Sequence, residues 1–152
     1  MSQLAHLYLM DTAKLQGLVQ SDFDTYLAEN AREVYPTDAW KEPNGYIFGT
    51  IIVYLMSIGI DLSKSGFDDI SDAVTKNTGS TTLILTVEHK HAINQEPQLH
   101  NISLEDSLKI NLEFSGDETE EIARDFIYAI EKLRENLSLL EDESKVLLLV
   151  IG

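Results

Sequence analysis

The sequence contains no cysteine, which excludes disulfide bonds, thiolate zinc sites and a cysteine nucleophile. It also lacks a long apolar run. The longest, residues 46–60, is shorter than the roughly 20 residues that span a bilayer, and we predict a buried helix there. No basic stretch precedes the first apolar run, as a signal peptide would require. We therefore predict a cytoplasmic protein.

Basic residues are scarce as well. Eleven Lys and Arg stand against 26 Asp and Glu, which leaves a formal net charge of −15. A field of this sign repels phosphate backbones and anionic lipids, so we predict no binding to nucleic acid or membrane. The same field attracts a basic protein partner. The alternative is that the charge only keeps a soluble protein dispersed.

The 152 residues have the length of one domain and suffice for a sizeable core. Apolar patterning predicts a mixed sheet of about four strands packed with about five helices in a single α+β domain. The predicted strands are residues 3–10, 81–89, 108–114 and 145–152. The predicted helices are residues 11–19, 21–34, 46–60, 66–77 and 118–140.

Two of these strands carry further expectations. Leu108, Ile110, Leu112 and Phe114 alternate with polar residues, which is typical of a strand with one wet face. The strand at residues 108–114, the helix at residues 118–140 and the closing strand would form a right-handed β-α-β unit. The closing run is apolar without interruption and predicts a central strand buried on both faces. Its even-numbered residues, 146, 148 and 150, would face one side and its odd-numbered residues the other.

The stretch "GIDLSKSGFDDISD", residues 59–72, allows two interpretations. Side-chain oxygens from Asp61 onward follow the spacing of a calcium-binding loop. The same residues form an S-x-x-D capping box in which Ser65 is the N-cap and a helix begins at Gly66. We favour the cap, because Asp72 replaces the long bidentate Glu of a calcium loop and the helix is short.

Three of the four histidines lie close together in sequence. On an extended strand His89 and His91 point to the same side, and His100 or Glu88 supplies a third ligand for zinc or iron. The alternative is that these side chains are solvated where a strand runs into a polar loop. His6 lies in an apolar strand and is interpreted as a core histidine. No catalytic motif is present, so the sequence identifies no catalytic residue and leaves open whether the protein is an enzyme; we predict no cofactor.

The segment "VYPTDAWKEPNGY", residues 34–46, combines aromatic residues with prolines and carboxylates. Exposed aromatic side chains in a loop anchor protein partners, which makes Tyr35, Trp40 and Tyr46 candidate partner-binding residues. The alternative is that Trp40 packs on the core and fixes the loop.

Three stretches resemble a known family. The opening "LYLMDTAKLQGLVQS", the central "YIFGTI" and the closing helix followed by "LLLVIG" are similar to the YfbM-like family of uncharacterised bacterial proteins. The resemblance implies a single α+β domain of bacterial origin. It supplies no catalytic residues to transfer.

Two hypotheses on function follow. The first is a protein-binding module that contacts a basic protein, and an immunity-type inhibitor of a toxin or nuclease is its sharpest form. The second is a metal-dependent protein or enzyme that uses His89, His91 and His100. The sequence predicts neither the partner nor the oligomeric state.

Overall fold

The structure is a computed structural model that describes residues 3–35 and 45–152. These residues form an α+β fold, as predicted. Its strands are β1 (Ala5–Asp11), β2 (Ala31–Tyr35), β3 (Thr81–Leu85) and β4 (Lys145–Ile151). Its α-helices are α1 (Gly17–Gln20), α2 (Phe23–Asn30), α3 (Gly45–Ser57), α4 (Asp68–Thr78), α5 (Val87–Asn94), α6 (Leu104–Ser115) and α7 (Glu120–Leu137). Short 3-10 turns occupy Thr12–Lys14 and Pro97–Leu99.

The strands form one sheet in the order β2-β1-β4-β3, and every neighbouring pair is antiparallel. The prediction of four strands is confirmed, whereas the prediction of a mixed sheet is wrong. The described residues also hold seven α-helices, more than the five expected. Strands β3 and β4 pair antiparallel although three α-helices separate them in the sequence. The helical connection therefore does not produce the parallel pair that we expected.

Strand β4 lies in the middle of the sheet and pairs with β1 on one side and β3 on the other. Leu147, Leu149 and Ile151 enter one hydrophobic cluster, and Val146 and Leu148 enter a second. The predicted alternation of β4 is therefore confirmed. Val150 is half-buried rather than dry, because the helices leave part of that face uncovered.

Helices cover both faces of the sheet. On the first face, α3, α5 and α7 pack against the odd-numbered residues of β4, and α6 packs against α3 and α7. On the second face, α1, α2 and α4 pack against the even-numbered residues. Helix α3 confirms the helix expected at residues 46–60, although it ends at Ser57 and only one side of it is buried.

The predicted strand at residues 108–114 is wrong, because these residues belong to α6. Ser103 caps the helix by accepting a hydrogen bond from the Asp106 N–H at 3.1 Å. The face of α6 that meets α7 is polar: Ser107 and Asn111 are buried, and the Ser107 hydroxyl donates to the Ala123 carbonyl at 2.7 Å. The predicted β-α-β unit therefore does not exist.

Two further boundaries differ from prediction. The strand expected at residues 81–89 ends at Leu85, and α5 follows it directly. The helix expected at residues 21–34 ends at Asn30, and the remaining residues form β2. In both places a helix and a strand adjoin with at most one residue between them, so a single apolar pattern runs across both elements.

Strand β2 contains a bulge where it pairs with β1. Tyr8 is opposite Glu33, but Leu7 is opposite Tyr35, which leaves Val34 as an extra residue. A bulge lets two consecutive residues turn toward the same side. Val34 and Tyr35 accordingly both enter the core on the first face, while Glu33 lies beside β1 on the second.

The start of α4 differs from the predicted cap. Ser65 Oγ accepts a hydrogen bond from the Phe67 N–H at 3.0 Å, and the Ser65 N–H donates to Asp68 Oδ1 at 2.8 Å. Only one half of the predicted Ser–Asp pairing is therefore present, because the Ser65 hydroxyl accepts from Phe67 and not from Asp68. The helix nevertheless begins at Asp68, with Phe67 and not Ser65 at the N-cap position.

Candidate functional site

The predicted histidine group does not form a ligand set. His89 and His91 lie on helix α5 and not on a strand, so their side chains point about 200° apart around the helix axis. His89 is buried, whereas His91 and His100 are exposed. Within residues 3–35 and 45–152, no group of three or more His, Asp and Glu side chains is placed to hold a metal ion.

Both ring nitrogens of His89 are already engaged. Its Nδ1 accepts a hydrogen bond from the Thr86 N–H at 3.0 Å. Its Nε2 lies 3.1 Å from the Asp61 carbonyl and 2.8 Å from the Lys64 carbonyl. Because Nδ1 accepts, Nε2 carries the hydrogen and donates to these carbonyls. His89 therefore connects α5 to the turn at residues 61–64, which is a structural role.

The three predicted partner-binding aromatics have different outcomes. Tyr35 is only 3% exposed and packs edge-on against Phe48 at 5.4 Å between ring centroids. Burial, then the neighbouring Tyr128 and Asp125, raises the pKa of Tyr35 to about 12. Tyr35 is thus a core residue, and its prediction as an exposed anchor is wrong. Trp40 lies outside the described residues, and Tyr46 is 56% exposed.

Tyr46 is the first residue of a larger exposed surface on α3. Its 13 residues include no charged side chain. Ile47, Phe48, Ile51 and Leu55 are buried on one side. The opposite side, which we call the α3 face, consists of Tyr46, Gly49, Val53 and Met56 at helical spacing, and both Val53 and Met56 are 49% exposed. A helix that is apolar on all sides is normally buried on all sides.

Carboxylates lie close to α3. Burial raises the pKa of Tyr54, and the charges of Asp106 and Glu96 raise it further, so both carboxylates are near this tyrosine. Residues 105–125 hold eight acidic and two basic side chains. Each of those two basic groups pairs with a carboxylate one turn away, Lys109 with Glu105 at 3.5 Å and Arg124 with Glu120 at 2.6 Å. Helix α6 and the start of α7, the two helices that pack with α3, therefore carry a strongly negative charge.

A cleft of about 590 Å³ opens on the second face of the sheet, between α2, α4 and the ends of β1 and β4. Its lining combines an apolar part with polar and acidic groups. The apolar part is Leu18, Phe23, Leu27, Val74 and Val150. The remaining lining residues are His6, Tyr8, Ser21, Asp22, Asp24, Asn77, Thr78, Ser80 and Gly152.

His6 and Tyr8 form one wall of this cleft. His6 Nδ1 lies 2.6 Å from Glu33 Oε1, and its ring is stacked with that of Tyr8 at 6.1 Å between centroids. Burial, then the charges of Glu33 and Asp24, raises the pKa of Tyr8. His6 is half-buried and paired with an exposed carboxylate, so its interpretation as a core histidine is wrong.

Sequence reasoning missed this cleft. The period of two in β1 would have placed His6 and Tyr8 on one face. Glu33, however, was expected on a helix, and only the pairing of β2 with β1 brings it beside His6.

Comparisons with protein-family models, with curated proteins and with solved structures find no match for this chain. The resemblance to the YfbM-like family therefore stays a prediction.

Proposed function

We propose that this protein is a binding module that contacts a basic protein through the α3 face. The exposure of Val53 and Met56 on a helix without a charged residue carries the proposal. A contiguous exposed apolar surface is typical of a protein interaction site. Tyr and Met are enriched in the cores of such interfaces.

The charge of the molecule favours a basic partner over a second copy of the chain. With a net charge of −15, two copies repel each other. The carboxylates of Asp106 and Glu96 lie near Tyr54 of α3, and Glu105 is on the same helix as Asp106. Lys and Arg side chains at the edge of a partner surface would pair with them, which speeds association and fixes orientation.

An inhibitor of a basic toxin or nuclease is the sharpest form of this function. Such a protein needs an apolar anchor together with acidic groups that oppose the positive substrate site of its target. The α3 face and the acidic segment 105–125 combine these two properties on one side of the sheet.

Site-specific crosslinking tests the proposal. A photo-crosslinking amino acid at position 53 should capture a basic protein in the source cells, whereas the same group at position 139 should not. Leu139 is a suitable control because it is 39% exposed and lies outside α3. Capture of the same proteins from both positions, or of a second copy of this chain, would contradict the proposal.

The captured protein, once purified, allows a quantitative test. Val53→Gln combined with Met56→Gln should weaken its binding by about tenfold or more, since interface anchors contribute more than about 1 kcal/mol each. Leu139→Gln should leave the dissociation constant unchanged. Higher salt should slow association, because screening shortens the reach of the carboxylates. An unchanged dissociation constant for the double variant would overturn the proposal.

A further inference from the structure

The cleft beside His6 and Tyr8 is separate from the α3 face. It lies on the second face of the sheet, whereas α3 covers the first. Its volume of about 590 Å³ is within the range of about 300–1,000 Å³ that is usual for small-molecule sites. Helices α1, α2 and α4 bury most of the second face but leave Val150 half-buried at the base of the cleft.

The cleft offers an apolar part that would hold the body of a ligand. Leu18, Leu27 and Val74 are buried, and Phe23 presents an aromatic ring. These residues come from α1, α2 and α4, so packed helices and not a loop hold them in place. Five of the fourteen described lining residues are apolar, so the apolar part is a minority of the lining and suits a small ligand body.

The charged groups that line the cleft are the carboxylates of Asp22 and Asp24. Among the lining residues that the structure describes there is no Lys or Arg. Asp24 has no hydrogen-bond partner among the described residues, whereas Asp22 already accepts from Thr25. Glu33 engages His6 through Nδ1, and in the neutral imidazole with hydrogen on Nδ1 the free Nε2 is an acceptor. The Asp24 carboxylate and His6 Nε2 are thus two acceptors that the lining of the cleft offers to a donor.

We propose that this cleft binds a small organic amine with an apolar body. An ammonium group has donors and no acceptor, and it would interact with the Asp24 carboxylate, His6 Nε2 and the Tyr8 oxygen. The rings of Phe23 and Tyr8 add cation–π attraction for such a group. The carboxylates of Asp22, Asp24 and Glu33 repel an anionic ligand.

Three probes of similar shape separate the contribution of the ligand's charge from that of its apolar body. They are 2-phenylethylamine, the neutral 2-phenylethanol and the anionic 3-phenylpropionate, each titrated above neutral pH while backbone amide NMR signals are recorded. The amine should shift the amides of Tyr8, Val74 and Val150 saturably. The alcohol should bind about tenfold more weakly, because it lacks the charge-assisted hydrogen bonds. Equal binding of amine and alcohol, or shifts confined to other surfaces, would overturn the proposal.

A pair of matched variants tests the role of Asp24. Asp24→Asn should weaken binding of 2-phenylethylamine by about tenfold, the loss expected for one charge-assisted interaction. Asp72→Asn removes the same charge from α4 at an exposed position that does not line the cleft, and should leave binding unchanged. If both variants reduce binding equally, the amine responds only to net charge and the proposed site is refuted. Neither variant alters α3, so this result is independent of the partner proposed above.

Discussion

His89 illustrates why residue type and spacing alone did not identify its role. The pattern H-x-H predicted a ligand pair because a strand was expected. On α5 the same side chain accepts the Thr86 N–H and donates to carbonyls at the turn of residues 61–64. It occupies the third helical position, where Glu or Gln usually completes a capping box. A histidine there gives no recognisable sequence signal.

This role makes a direct prediction for stability. His89→Leu removes one acceptor and one donor and leaves buried backbone groups without partners. The free energy of unfolding should fall by about 1–3 kcal/mol, measured by urea denaturation. His91→Leu on the same helix is the control, and because His91 is exposed its effect should be within about 0.5 kcal/mol. Equal losses of stability for the two variants would show that the hydrogen bonds of His89 do not stabilise the fold.

At the scale of single elements, α6 explains the clearest wrong prediction. Its buried contact with α7 uses Ser107 and Asn111, which are polar, while Leu112 is 50% exposed. Ile110 and Phe114 do pack against the core, but the alternating set as a whole does not mark the buried side, and the alternation resembles that of a strand. A helical period in apolar residues is visible only where the contact is apolar. Helices α3 and α7 meet that condition and were predicted correctly.

Glycine positions allow a test of two helices. Gly49 lies inside α3, and a Cβ built there meets no atom of another described segment within 4 Å. Gly49→Ala should therefore raise the free energy of unfolding by about 0.5–1 kcal/mol, since alanine restricts the unfolded chain. Gly79 follows α4 with φ of +77°, a left-handed conformation that penalises a side chain. Gly79→Ala should lower the stability by about 1 kcal/mol.

Thermal and urea denaturation of the two variants would measure these changes in the free energy of unfolding. Both variants replace glycine by alanine. The free energy of unfolding should nevertheless change in opposite directions, because the backbone is helical at Gly49 and left-handed at Gly79. Destabilisation by Gly49→Ala would mean that the α3 face is covered in solution.

At the scale of the whole molecule, local patterns predicted much of the fold but not the cleft. The unbroken apolar run of β4 indicated burial on both faces, and its alternation is confirmed by the two hydrophobic clusters. Strand order and direction depend on contacts between distant segments, which no local pattern encodes. The contact of Glu33 with His6 also requires β2 to pair with β1. The periodicity of the sequence therefore could not predict the cleft.

The central position of β4 predicts the effect of truncation. Deleting residues 146–152 removes the partner of both β1 and β3 and exposes both hydrophobic clusters. We expect no cooperative thermal transition and poor dispersion in the amide NMR spectrum. A truncated chain that melts cooperatively near the temperature of the full chain would contradict the assigned role of β4.

The pairing of β1 with β4 also has a consequence for the order of folding. Asp11 and Lys145 interact although they are separated by 134 positions, whereas the Ser107–Ala123 contact between α6 and α7 spans 16. Closing the longer loop costs more entropy, and non-local contacts slow folding. The α6–α7 hairpin should therefore form first. During synthesis on the ribosome, β1 emerges early and must remain without its central partner until β4 has been made.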